Sequence, residues 1–285
     1  MKGLRPGTPL AKAGMELLSA RLGDVRRQQA RLRNQPARAA VHDTRVSTRR
    51  LRAALKVFGN KELRRYDREV KQFQDALGAV RDLQLQLQWL NGQDGPRATA
   101  LRPIVNEQKQ ILRARSRELR QRLSKWRNQT APALLKAVTA YRAVGQLGSG
   151  KMRRHLRKRL ARVMPQLAAF GDSTDPATIH QLRIALKKLR YDVELLAPAF
   201  PAYAGLALSV LAPLQSELGS VHDKDVRMAL LWRFLGKGSE RHGDQLAAMI
   251  GDVLESRESE VEALSTKTAW LVSEKIPERL RSLLD

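Results

Sequence analysis

With 285 residues of which 42% are hydrophobic, the chain can bury a core, and wholesale disorder is excluded. It has no cysteine, which removes disulfides and thiolate metal sites and favours a cytoplasmic compartment. Fifty-three Lys and Arg against 28 Asp and Glu leave a net charge of +25, a self-repulsion that a compact fold tolerates best beside a polyanion.

The opening "MKGLRPGTPLAKAG" lacks the apolar run of a signal peptide, so export is not expected, and residues 1–8 are expected to be flexible. Beyond it β-branched alternation is scarce, while Leu, Ala, Arg, Gln and Glu dominate with apolar residues three and four apart. The prediction is an all-α protein. The first helix runs over about 9–33. The second, 37–58, carries "VHDTRVSTRRLR", one histidine followed by four arginines. The third, 61–90, contains "LGAVRD" (Leu77 to Asp82), and the fourth, 98–128, puts Arg113, Arg117 and Arg120 on one face and ends near Trp126. A shorter helix at 131–145 closes the first half.

The second half repeats this rhythm. A helix at 150–170 holds Arg153, Arg154, Arg157, Lys158 and Arg159, read as an exposed patch or a groove edge. The next, 176–197, contains "IHQLRIALKKLR". The uncharged stretch Leu195 to Ser216 is interrupted by Pro198, Pro201 and Pro213, which predicts a bend and then a buried helix, not a membrane span. Helices at 202–235, 241–265 and 267–283 follow. Residues 239–285 hold ten acidic and six basic residues, so this segment is near −4 while the preceding 238 residues carry +29.

The two halves align on three anchors. His42, Arg45, Arg49, Arg50 and Arg52 match His180, Arg183, Lys187, Lys188 and Arg190 at an offset of 138; "LGAVRD" matches "LGSVHD" at 141; Arg113 and Trp126 match Arg257 and Trp270 at 144. Offsets that grow slowly and in order are what loop insertions between two copies of one unit produce.

At about 100° per residue, His42, Arg45, Arg49 and Arg52 fall within an arc of about 80°. Leu51, Leu55 and Phe58 occupy a different face, as do Leu182, Leu189 and Leu196 in the second copy. The leucines serve the fold and leave the basic stripe for an anion. Guanidinium forks match phosphate oxygens and lysine adds a point charge, while His42 and His180 are read as further donors or, alternatively, as structural hydrogen-bonded residues. The competing explanation, a merely solvated face, is weakened by the repetition of the stripe in the same register. No HExxH or cysteine cluster marks the histidines as metal ligands, and neighbouring guanidiniums disfavour both a bound cation and a protonated imidazole. Asp82 and Asp223 are expected to pair with stripe arginines or to cap a helix, Gly78 and Gly219 to let helices approach, and Trp126 and Trp270 to anchor the core.

The duplicated H-x-x-R-x-x-x-[RK]-[RK]-x-R helix, the "LRYDVELL" run at Leu189 to Leu196 and the two "LGxVxD" segments resemble the CHAD family, the conserved histidine α-helical domain, over about residues 9–283. The resemblance implies a single CHAD-type domain of two repeats, about 9–146 and 149–283. These are expected to form pseudo-symmetric antiparallel four-helix bundles whose basic helices face a shared cavity that binds inorganic polyphosphate. It implies phosphate contacts at His42, Arg45, Arg49, Arg50, Arg52, His180, Arg183, Lys187, Lys188 and Arg190, with Arg113 and Arg257 from the fourth helix of each repeat. Lys56 extends the first stripe by a turn where the second has Glu194, so the two walls should differ in charge. Members of the family are associated with polyphosphate granules or joined to CYTH domains; no E-x-E-x-K motif precedes this stretch, and a stand-alone binder with no cofactor or metal is expected. Nucleic acid is the alternative polyanion, but aromatic residues make up only 5% and do not interleave with the stripe. An enzyme or accessory subunit of polyphosphate metabolism is a further alternative, against which stands the lack of a GxxxxGK[ST] loop or a convergent acidic cluster.

Overall fold

A computed structural model of the chain describes residues 3–32, 37–236 and 242–285. Among them are ten α-helices: α1 (Leu10–Gln29), α2 (Arg38–Phe58), α3 (Lys61–Leu90), α4 (Gly95–Lys125), α5 (Ala131–Thr139), α6 (Gly150–Asp172), α7 (Pro176–Leu196), α8 (Pro201–Leu235), α9 (Gly243–Ser273) and α10 (Ile276–Ser282). The protein is all-α. The expected first-helix end at 33 and the expected helix start at 241 lie outside the described residues. The break expected near 129 is absent, because a π-helical segment, Trp126–Thr130, joins α4 to α5 without a loop. The break expected near 266 falls instead at Glu274 and Lys275, where Lys275 takes the left-handed φ of 52° and Pro277 opens α10. Pro198 lies in the turn after α7, Pro201 opens α8 and Pro213 is inside it. No helix among the described residues is long and apolar enough to cross a membrane.

The chain divides into two compact units, Met1–Gln93 with Leu101–Ser149, and Asp94–Ala100 with Gly150–Asp285. The seam falls at 149/150, but the first turns of α4 go with the second unit, where Arg97 Nη1 lies 2.7 Å from Asp252.

In the first unit α2 packs between α1 and α3, and α5 closes against both α1 and α3. The two-residue turn at Gly59 and Asn60 forces α2 and α3 antiparallel. Asn60 fixes the start of α3 by accepting the Leu63 N–H at 2.9 Å. Leu17, Leu22, Leu51, Leu55, Leu63, Val70 and Leu77 are all essentially inaccessible, each worth about 1.5–3 kcal/mol of burial. Thr44, Ser47 and Thr48 are buried in α2 as well. Their hydroxyls return to Ala40, Asp43 and Arg45 carbonyls at 2.7–2.9 Å, so a polar face enters the core without orphaned donors. Residues 3–9 are not loose. Gly7 N–H donates to Leu147 O at 2.9 Å, Leu147 N–H to Thr8 O at 2.8 Å, and Leu4 is buried.

In the second unit α6, α7, α8 and α9 pack in chain order, with α10 against α6, α8 and α9. Asp175 caps α7, accepting the Ala177 and Thr178 N–H groups at 2.8 and 3.1 Å. The core includes Leu156, Phe170, Ile179, Leu182, Leu189, Tyr203, Leu218 and Leu264.

The paired tryptophans do not share an environment. Trp126 is buried and stacks on Phe73 at 5.5 Å, as expected of a core anchor, whereas Trp270 is 52% exposed. Helix α9 buries Leu264, Thr268 and Leu271, and a residue one step from Leu271 is turned by about 100° toward solvent.

Candidate anion-binding site

In the first unit the stripe flanks the apolar side of α2, next to α3. His42 and Lys56 are exposed; Arg45, Arg49, Arg50 and Arg52 are half-buried. The next helix shapes their placement. Arg45 lies over Gly78 of α3, where a Cβ would stand 3.4 Å from the guanidinium Nε, and its Nη2 is 3.7 Å from Asp82. A Cβ at Gly78 would just touch the guanidinium, which lies flat against α3 there, and Asp82 pairs with the stripe as the sequence predicts. Arg52 is the most firmly held: Nε donates to Asp67 Oδ1 at 2.8 Å, and Nη1 reaches Gln74 at 3.4 Å. A fork fixed from α3 presents its remaining edge in a set direction.

The second unit reproduces part of this arrangement. Arg183 and Lys187 are half-buried on α7, and Lys188 is exposed. Arg183 lies over Gly219 of α8, at 4.0 Å from a Cβ placed there. Arg190 donates along its own helix to Glu194 at 2.9 Å, so the acidic residue that replaces the Lys56 position neutralises the end of the stripe. The His180 ring packs against His222 of α8, with centroids 4.9 Å apart and planes tilted by 42°. Nδ1 of His180 is buried with no hydrogen-bond partner among the described residues.

A cationic field acts on two imidazoles, His42 in the first stripe and His222 beside the second. Partial desolvation, then Arg81, with Arg45 and Arg49 adding to it, lowers the His42 pKa below its usual 6.5; Asp43 opposes them. Burial, then Arg183 and His180, lowers that of His222 against Asp223 and Asp225.

Arg113 and Arg257 diverge. Arg113 is exposed on α4, whereas Arg257 is 9% exposed on α9 and is consumed by the fold. Its Nε donates to Asp225 at 2.5 Å and its Nη2 to Thr174 O at 2.7 Å, fastening α9 to α8 and to the turn before α7. The 153–159 cluster is also largely engaged. Arg153 and Arg157 donate to the carbonyls of Asp285 and Leu284 at 2.7 Å, and Arg159 donates to Asp192 at 2.6 Å. Asp192 is buried and also meets His155 at 2.8 Å. Only Arg154 and Lys158 of that run remain as the exposed patch expected of it, together with the outer parts of Arg153 and Arg157.

Arg81 and His222 were missed at the level of sequence. They hold the same place in "LGAVRD" and "LGSVHD", one residue before the aspartate, and a basic residue shared at that place was the available signal. No group of three or more His, Cys, Asp or Glu among the described residues is placed to hold a metal ion.

The CHAD-domain family model matches residues 16–232. Among solved structures, the CHAD domain from the plant Ricinus communis is similar with a TM-score of 0.71 at 20% identity, covering 93% of each chain. PptA from Streptomyces chartreusis gives a TM-score of 0.65 at 18% identity, covering 93% of this chain and 100% of that one. No curated protein matches the sequence.

Proposed function

The chain belongs to the CHAD domain family, and from that premise we propose that it binds inorganic polyphosphate through the α2 and α7 stripes without turning it over. The observation that carries this reading is the arrangement found in each unit: a helix face of basic residues whose leading arginine, Arg45 or Arg183, lies over a glycine of the following helix. The guanidinium rests at contact distance above the glycine in both units, 3.4 Å and 4.0 Å from where a Cβ would stand, so the basic side chain follows the neighbouring helix in the same way twice. The repetition also supports reading the two units as copies of one ancestral unit. Phosphate contacts come from His42, Arg45, Arg49, Arg50 and Lys56 in the first unit, and from His180, Arg183, Lys187 and Lys188 in the second. Arg52, Arg190 and Arg257, each tied to a carboxylate, chiefly position their neighbours.

The role that fits is a scaffold or granule-associated binder, in which affinity comes from summed phosphate contacts. The test is equilibrium binding of long-chain polyphosphate to the wild type and to the Arg45→Ala, Arg49→Ala, Arg183→Ala, Lys187→Ala variant, with helicity followed by circular dichroism. The expected result is loss of most affinity with helicity retained. Displacement of polyphosphate by RNA or DNA at equal phosphate concentration would move the assignment to nucleic acid. Phosphate release by the pure protein with Mg²⁺ would make it an enzyme.

A further inference from the structure

The two units differ at one position beside the stripe. In the first it is Arg81, whose charge is permanent, and in the second it is His222, whose ring contacts His180 at 4.9 Å. Two imidazoles this close resist carrying charge together, and Arg183 adds a third cation. On α8 itself Asp223 and Asp225 favour protonation, but Asp225 is held by Arg257 of α9. Glu260 and Lys267 of α9 are taken up by Lys224 and Glu217 of α8, and Glu278, Arg279 and Arg281 of α10 occupy exposed positions. The second unit thus holds a pair of contacting, titratable donors next to an arginine, with a buried nitrogen of His180 still lacking a hydrogen-bond partner among the described residues.

We propose that His222 is a phosphate contact of the second unit, and that it takes up a proton when a phosphate chain binds beside it and the adjoining His180 ring. The inference rests on the polyphosphate reading and adds to it a residue and a property. Phosphate oxygens add to the negative charge of Asp223 and Asp225 and outweigh the opposing cations, so protonation and binding assist each other. The second unit then carries a titrating donor, His222, at the place where the first carries the fixed charge of Arg81. By linkage, each proton taken up at saturation strengthens binding about tenfold per unit fall in pH across the titration range.

The experiment is calorimetric titration of the whole protein with long-chain polyphosphate in two buffers of different ionisation enthalpy, repeated at pH 7.5 and 5.5. The internal phosphates of a long chain stay ionised throughout, so the protons counted are those of the protein. His222→Arg supplies the fixed charge of the first unit, and His222→Gln removes the charge while keeping a polar side chain; thermal melting verifies that each folds. The expected result is net proton uptake in the wild type, reduced in both variants, with His222→Arg binding more tightly than His222→Gln at pH 7.5. Uptake unchanged in the variants, or absent from a wild type that binds, overturns the inference and leaves the polyphosphate assignment standing. A wild type that fails to bind at either pH overturns both.

Discussion

A guanidinium laid over a glycine is the smallest unit of the proposed site, and it makes a specific demand on residue 78. A Cβ there would already touch Arg45 at 3.4 Å, so Gly78→Leu must displace the side chain. Weaker polyphosphate binding with little change in far-ultraviolet circular dichroism is the expected outcome. The buried carboxylate of Asp192 serves the fold instead. With His155 and Arg159 left unpaired, Asp192→Ala should lose about 3–5 kcal/mol in urea unfolding. The histidines predict a pH dependence whose sign is fixed by their lowered pKa values. In the unfolded chain they protonate near 6.5, while in the fold they do so at lower pH, so protons stabilise the unfolded state first. Their contribution to stability is fully present above 6.5 and declines as pH falls from there through the folded values. Thermal melts at pH 7.5 and 5.5 should show this decline in the wild type, a smaller one in the His42→Asn, His222→Gln double variant, and partial rescue by bound polyphosphate.

The elements were legible in the sequence because the helices are amphipathic and punctuated. The bounds of α2, α3, α7 and α8 follow from the apolar period, the Gly59 and Asn60 turn and the prolines around residue 200. Apart from the misplaced breaks near 129 and 266, which are backbone features, the side chains that were misassigned share one cause: the face a residue occupies depends on its packing partner. Trp126 and Trp270 align in sequence, yet one meets Phe73 and the other meets water. Trp126→Ala should therefore destabilise the protein by about 3–5 kcal/mol and Trp270→Ala by less than about 0.5 kcal/mol, as denaturant midpoints will show. Arg257 was chosen on the same alignment as Arg113. Its burial follows from Asp225, a partner that no alignment of the two stripes includes. Arg81 and His222 were overlooked for the converse reason: each belongs to a neighbouring helix, and only the antiparallel packing of α2 on α3 and α7 on α8 brings it beside a stripe.

Across the whole molecule, +25 of net charge makes attraction for polyanions inevitable, so affinity alone does not distinguish a built site from a basic surface. Both kinds of binding weaken steeply as salt rises, because condensed counterions are released on association. What separates them is where the charge must be. Removing four stripe residues, or four exposed basic residues elsewhere such as Arg115, Arg154, Lys158 and Arg279, changes the net charge equally. The most direct measurement is the dissociation constant for long-chain polyphosphate of these two fourfold alanine variants at physiological salt. The stripe variant, Arg45→Ala with Arg49→Ala, Arg183→Ala and Lys187→Ala, should lose most of its affinity while the surface variant stays close to wild type. Equal losses in the two would contradict the account and reduce the stripes to ordinary basic surface.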